Sequence, residues 1–299
     1  MTVNNDILDM KKQEEMIKKE RKANSAWNMF KRNKTAMIGL VIVITMILMA
    51  LLAQWIAPYA PNKMDLVNTY AKPGVDGHIL GTDEYGRDLL SRIIYGSRVS
   101  LIVAVGGMMV GGAIGILLGL FSGFKGGIVD TIIMRLMDGM FAFPFVLLAI
   151  VLMTVLGDGL KNVILAIGIA NVPSYARIVR GQVHIVKKEE YCQAVRAIGA
   201  SDIRLLFSHI LPNSISPIIV FATLNVAGSI ISEAALSFLG LGIQPPTASW
   251  GTILRAGKDS LITAPHIATY SGIAILVTVL GFNLLGDGIR DVLDPKMKR

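Results

Sequence analysis

The chain has 299 residues, 53% of them hydrophobic and only 17% charged, with a mean hydropathy of +0.58. Soluble domains carry nearer a quarter charged residues, so the long uncharged runs here speak for a bilayer and against an aqueous core. The formal net charge of +8 lies mainly before and between those runs, which fits membrane orientation rather than nucleic-acid binding, and the lone Cys192 excludes an internal disulfide or a cysteine-based metal cluster.

Residues 1–34 are polar and rich in Lys and Glu, and read as a cytoplasmic tail. Residues 36–57 follow without a single charge, roughly 33 Å of helix against a hydrocarbon core of about 30 Å. A secretory signal has a shorter apolar region, so the reading is a first transmembrane helix at 35–57. Residues 58–98 form an extracytoplasmic segment holding Asp83, Arg87, Asp88, Arg92 and Arg98, with an amphipathic helix expected over 84–95 that turns Leu89, Ile93 and Ile94 inward.

Residues 99–291 are read as a five-helix core, with spans near 99–121, 133–156, 162–179, 214–238 and 267–286, and 292–299 as a second cytoplasmic tail. Pro144 and Pro173 interrupt the third and fourth of the six spans. Gly107, Gly111, Gly115 and Gly119 recur every four residues along the second span, a ridge suited to close helix packing. They precede no Lys-Ser or Lys-Thr pair, so the chain has no Walker A loop of its own.

Lys and Arg number about twenty in the tails and the gaps at 122–132 and 180–213, against about eight in the opposite gaps. The positive-inside rule therefore puts both termini and the 180–213 loop in the cytoplasm. Within the spans, Arg135 and Asp138 are three apart and read as a structural ion pair in preference to a substrate contact. Glu233 either lines a path or bonds a neighbouring helix. Asp287 and Arg290 are expected to fasten the last span's end. Four scattered histidines give no metal-ligand spacing, and no nucleophile, base and orienting group converge, so neither a metal site nor catalysis is expected of this chain.

The loop at 179–213 is too polar to cross a bilayer. Its EEYCQAVRAIG stretch, with Glu190 near the start, reads as a short helix with Tyr191, Val195 and Ile198 near one face, and Gly199 permits a sharp exit. Ala200 and Asp202 open a second helical stretch, capped by Asp202, in which Ile203, Leu206 and Phe207 share a face, and Pro212 ends it. Such a hairpin suits either docking into a cleft on a soluble partner or resting on the lipid surface.

This loop resembles the EAA loop of ABC importer permeases: Gln193, Ala194 and Val195 stand at the small-residue motif, Gly199 follows, and Leu211 and Pro212 keep the later spacing. SAWNMFKRNKTAMIGL at 25–40, HILGTDEYGRDLLSRIIYGSRVSL at 78–101, LSFLGLGIQPPTASWGTIL at 236–254 and GFNLLGDGIRDVLDP at 281–295 are similar to the second permease of dipeptide and oligopeptide importers. The resemblance implies an all-α, type I importer permease in the bacterial cytoplasmic membrane. It implies a second homologous permease, two cytoplasmic ATPase subunits that hold ATP and Mg, and an extracytoplasmic substrate-binding protein meeting the outer loops. The 190–203 segment would be the coupling helix. Permeases for nickel or metal chelates share the same motifs. A secondary transporter would leave the docking loop unexplained and should show two corresponding halves with broken helices.

Overall fold

The structure is a computed structural model and describes residues 26–293. Among them it is helical, with isolated β-bridges in place of strands. The helices are α1 (Ala26–Arg32), α2 (Lys34–Leu51), α3 (Ala53–Ile56), α4 (Leu89–Lys125), α5 (Gly127–Phe141), α6 (Phe145–Leu156), α7 (Leu160–Val186), α8 (Glu190–Ala197), α9 (Asp202–Leu205), α10 (Leu211–Phe238), α11 (Trp250–Asp259) and α12 (Pro265–Leu293). Five helical runs are long and apolar enough to cross a membrane, and α5 with α6 makes a sixth if that pair, bent by 93°, counts as one span. Five of the six expected spans are thus present with different edges, and the bent α5–α6 pair stands where the third was expected.

Proline explains two of those edges oppositely. Pro144 stands between α5 and α6 and has an extended ψ of 137°, so the third span is broken there. Pro173 lies inside α7, buried, and the helix runs through it to Val186, past the expected boundary at 179. Pro212 does not end the second stretch of the loop either. The Leu211 N–H bonds the Leu206 carbonyl, five residues back, and this widened turn makes room for a ring that clashes with a carbonyl four back. The helical run therefore extends from Asp202 to Phe238.

The glycine ridge is a helix seam, as its spacing predicts, and its partner is α7. A Cβ at Gly111 would stand 2.6 Å from the Gly168 carbonyl, and one at Gly115 would stand 2.5 Å from the Tyr175 Cβ. Gly107 meets Ile167, Gly119 meets Ala176 and Val179, and Gly123 adds a fifth step against Val183. A second seam, between α2 and α12, uses Gly39, Gly281 and Gly288 against Leu285, Ile42 and Ala36.

The 58–98 segment is more structured than a surface loop, and its helix begins at Leu89 rather than 84. Asp88 caps α4, accepting from the Ser91 N–H at 2.8 Å, and also lies 2.9 Å from the His78 Nδ1. Asp83 accepts from the Arg87 Nε at 2.7 Å and lies 3.3 Å from the Arg92 Nε. Asp83, Arg87, Asp88 and Arg92 are all buried, while Arg98 bonds the Ala50 and Leu51 carbonyls at the end of α2. These charges hold the segment together, and Leu89, Ile93 and Ile94 face the protein as expected.

Glu233 belongs to the packing. It is fully buried in α10 and accepts from the Ser100 Oγ of α4 at 3.0 Å and the Ser237 Oγ at 2.8 Å. Ser100 Oγ in turn accepts from the Trp250 N–H at 3.3 Å, so one carboxylate ties α4, α10 and the start of α11.

Two outcomes follow in the melting temperature of detergent-purified protein. Gly115→Leu should lower it sharply or abolish membrane accumulation, overpacking costing about 1–3 kcal/mol, while Gly181→Leu, where a Cβ meets nothing within 4 Å, should not. Glu233→Ala should destabilise by about 1–3 kcal/mol by orphaning buried hydroxyls, and Glu233→Gln should restore most of that loss.

Candidate functional site

The 180–213 loop divides differently from its expected form. Residues 180–186 complete α7, and the projecting part is α8, its exit turn and α9. Gly199 has φ +84°, the left-handed conformation that glycine adopts freely. The Gly199 N–H bonds the Arg196 carbonyl at 3.0 Å, and the Ala200 N–H bonds the Val195 carbonyl at 3.3 Å. This pair of bonds is a Schellman motif, which reverses the chain with its carbonyls satisfied. The cap of α9 is Ser201, whose hydroxyl accepts from the Arg204 N–H at 3.4 Å; Asp202 is the first helical residue. Asp202 instead receives Lys125 at 3.5 Å and Arg196 at 3.7 Å, joining the hairpin's two arms to the end of α4.

The faces also sort differently. Cys192, not Tyr191, is the buried anchor of α8, with Val195 beside it against Leu120, Phe124, Val183 and Leu205. Tyr191 and Ile198 face away from the core, Ile198 being 84% exposed. On the other arm Leu206 is buried, whereas Ile203 is 72% exposed and Phe207 partly so. Glu190, Gln193 and Ala194 share the exposed side of α8, and Pro212 is exposed beyond it. The hairpin is thus clamped by one apolar face and offers a second, isoleucine-bearing face outward. Lys187 reinforces the clamp, donating to the Gly123 carbonyl at 2.7 Å.

Arg135 and Asp138 are not a pair. Asp138 accepts from the Arg177 Nη2 of α7 at 2.7 Å, and that guanidinium lies 4.1 Å over the Phe141 ring. About two turns earlier on α5 and one turn later on α7, Asp130 takes both the Nε and Nη2 of Arg180 at 2.6 Å. Sequence spacing found the local neighbour, while the fold brought a longer reach from the next helix. Likewise Asp287 and Arg290 form no salt bridge among the described residues; Asp291 fastens the end of α12, accepting from the Asn33 Nδ2 at 2.9 Å.

Arg290 instead lines a cleft of about 540 Å³ between α7, α10 and α12, with Ile178, Gln182, Asn213, Ser216 and Phe221. Behind Phe221, Tyr175 packs edge-on at 4.8 Å. The Asn225 Nδ2 donates to the Asn171 Oδ1 at 2.9 Å, bridging α10 to α7. No sequence motif marked this cleft, since its lining comes from three helices far apart in the chain. Among the described residues, no group of His, Cys, Asp and Glu is placed to hold a metal ion.

The arrangement is a membrane-spanning bundle with an open cleft and a helical projection at one end. Residues 115–299 match the model of the binding-protein-dependent transport system inner membrane component, and residues 23–73 match that of the N-terminal membrane domain of oligopeptide transport permease C. The chain is 47% identical over 273 residues to the glutathione transport system permease protein GsiD of Escherichia coli O6:K15:H31, an alignment covering 91% of this chain and 90% of that protein. The same figures hold for GsiD of Shigella boydii serotype 4. The chain therefore belongs to the ABC importer permeases, the multi-pass inner-membrane components of binding-protein-dependent transport systems, in the group that includes the oligopeptide permeases.

Proposed function

We propose that this chain is one of two transmembrane subunits of an ATP-driven importer of short peptides, with both termini in the cytoplasm. Cargo is a dipeptide, an oligopeptide or a tripeptide such as glutathione; the name of the GsiD relatives supports the last, and the oligopeptide-type N-terminal segment supports the wider class. A second, homologous permease completes the pathway. ATP and Mg are held on two partner ATPases, and an extracytoplasmic binding protein delivers cargo to the end formed by residues 57–88 and α11.

The observation that carries this reading is the hairpin. Ile198 and Ile203 stand exposed on either side of the Gly199 turn, on a projection whose opposite face is clamped to α4, α7 and α10. An apolar surface held this firmly suits a groove on a soluble partner. Its anchors sit on the helices that line the cleft, so closure of the ATPase pair would push α8, and α8 would tilt α7 and α10 together. That is gating between discrete arrangements.

Ile198→Asp is the direct test, because its side chain supports nothing in the fold. The variant should accumulate in the membrane normally, lose the ATPases on affinity purification and lower peptide uptake at least tenfold. Gly199→Val, strained by about 1–2 kcal/mol at its positive φ, should lower uptake while Gly199→Asn, which tolerates that conformation, should not. Undiminished ATPase recovery together with normal uptake in Ile198→Asp would remove the coupling role from α8.

A further inference from the structure

The cleft between α7, α10 and α12 is graded from polar to apolar. Gln182 stands near the end of α7, and Asn213 and Ser216 near the start of α10, so all three lie toward the hairpin that joins these helices. The α12 helix runs the other way: Gly286 meets Leu224, and Arg290, one turn further on, joins the polar end. Away from the hairpin the wall is Val220, Phe221 and Leu224. The volume of about 540 Å³ lies within the roughly 300–1,000 Å³ of small-molecule sites, which pair an apolar lining with a few polar groups.

The polar end has bonding capacity left over. Among the described residues the side chains of Gln182, Ser216 and Arg290 form no hydrogen bond or salt bridge. Asn213 donates its Nδ2 to the His209 carbonyl at 2.7 Å and keeps its Oδ1. Pro217, inside α10, has no N–H for the Asn213 carbonyl four residues back, so a main-chain acceptor stands there without its usual helical partner. The apolar end is fixed instead: Tyr175 packs edge-on against Phe221 at 4.8 Å.

We infer that this cleft is a product-side binding site for a short peptide, holding the peptide's terminal carboxylate on Arg290 and an apolar side chain against Phe221. The inference deepens the importer reading and rests on it, because that reading makes the hairpin end the cytoplasmic end. A guanidinium with no carboxylate of its own presents paired N–H donors to an incoming carboxylate. The Asn213 oxygens accept from peptide N–H groups, and Gln182 and Ser216 both donate and accept. An inorganic anion or an acyl chain matches one end of the cleft; a peptide matches both.

The test measures equilibrium binding of radiolabelled glycyl-phenylalanine to the complete importer in lipid nanodiscs, where both faces are open, with no binding protein added. Binding should be saturable, and Arg290→Ala should weaken it about tenfold or more, while Arg290→Lys restores part of the loss. Glycyl-phenylalanine amide, which lacks the carboxylate, should bind the native protein equally weakly, a result that needs no variant to fold. Phe221→Ser should weaken glycyl-phenylalanine and leave glycyl-glycine unchanged. Non-saturable binding, or equal affinity for acid and amide together with an unaffected Arg290→Ala, would overturn the site. ATP-driven uptake of the same peptide into proteoliposomes, with its binding protein, checks the importer reading separately. Uptake without this binding sinks the site alone, and absence of uptake sinks both.

Discussion

The close approach of α4 and α7 is the contact on which the rest of this molecule depends. Apolar helices gain little from one another in lipid, because acyl chains are as apolar as leucine, so contact must come from fit and polar bonds. Five glycines at every fourth position of α4 supply the fit, letting the α7 backbone lie where any side chain would collide. The side chains of α7 are positioned by that seam: Arg177 and Arg180 toward α5, Ile178 and Gln182 toward the cleft, and the start of the hairpin at its end.

Two kinds of charged residue then separate by their surroundings. Asp83, Arg87 and Arg92 are buried and bonded through Asp83, Asp88 is buried against His78 and Ser91, and removing one of these partners would leave an uncompensated charge, which is the behaviour of a structural cluster. Asp138 and Arg177 are paired yet half exposed, and Arg135 is exposed without a salt bridge among the described residues. Glu233 looks on paper like the latter group but is fully enclosed by hydroxyls, which makes it a fastening. Burial and partner, not residue type, separate the two groups.

The hairpin and the cleft share their supports. Leu205, Leu206 and Ile210 lead directly into α10, and Val183 and Val186 end α7, so one apolar cluster carries both the projection and two walls of the cleft. The widened turn at Leu206–Ile210 is what permits this continuity across Pro212.

Composition and pattern alone determined the membrane class, the glycine seam and the sharp turn at Gly199, because each rests on a local rule: run length, a four-residue period or a left-handed φ. The family resemblance in the loop was equally legible as a string of residues. Partners were not. Asp138 found Arg177 rather than Arg135, Asp291 rather than Asp287 tied down α12, Cys192 rather than Tyr191 anchored α8, and Pro173 and Pro212 were carried through their helices. Each of these turns on which side chain from a distant segment arrives within reach, and on how neighbouring helices hold a proline that would break an isolated one. Such proximities are set by helix packing in three dimensions, and no local spacing encodes them.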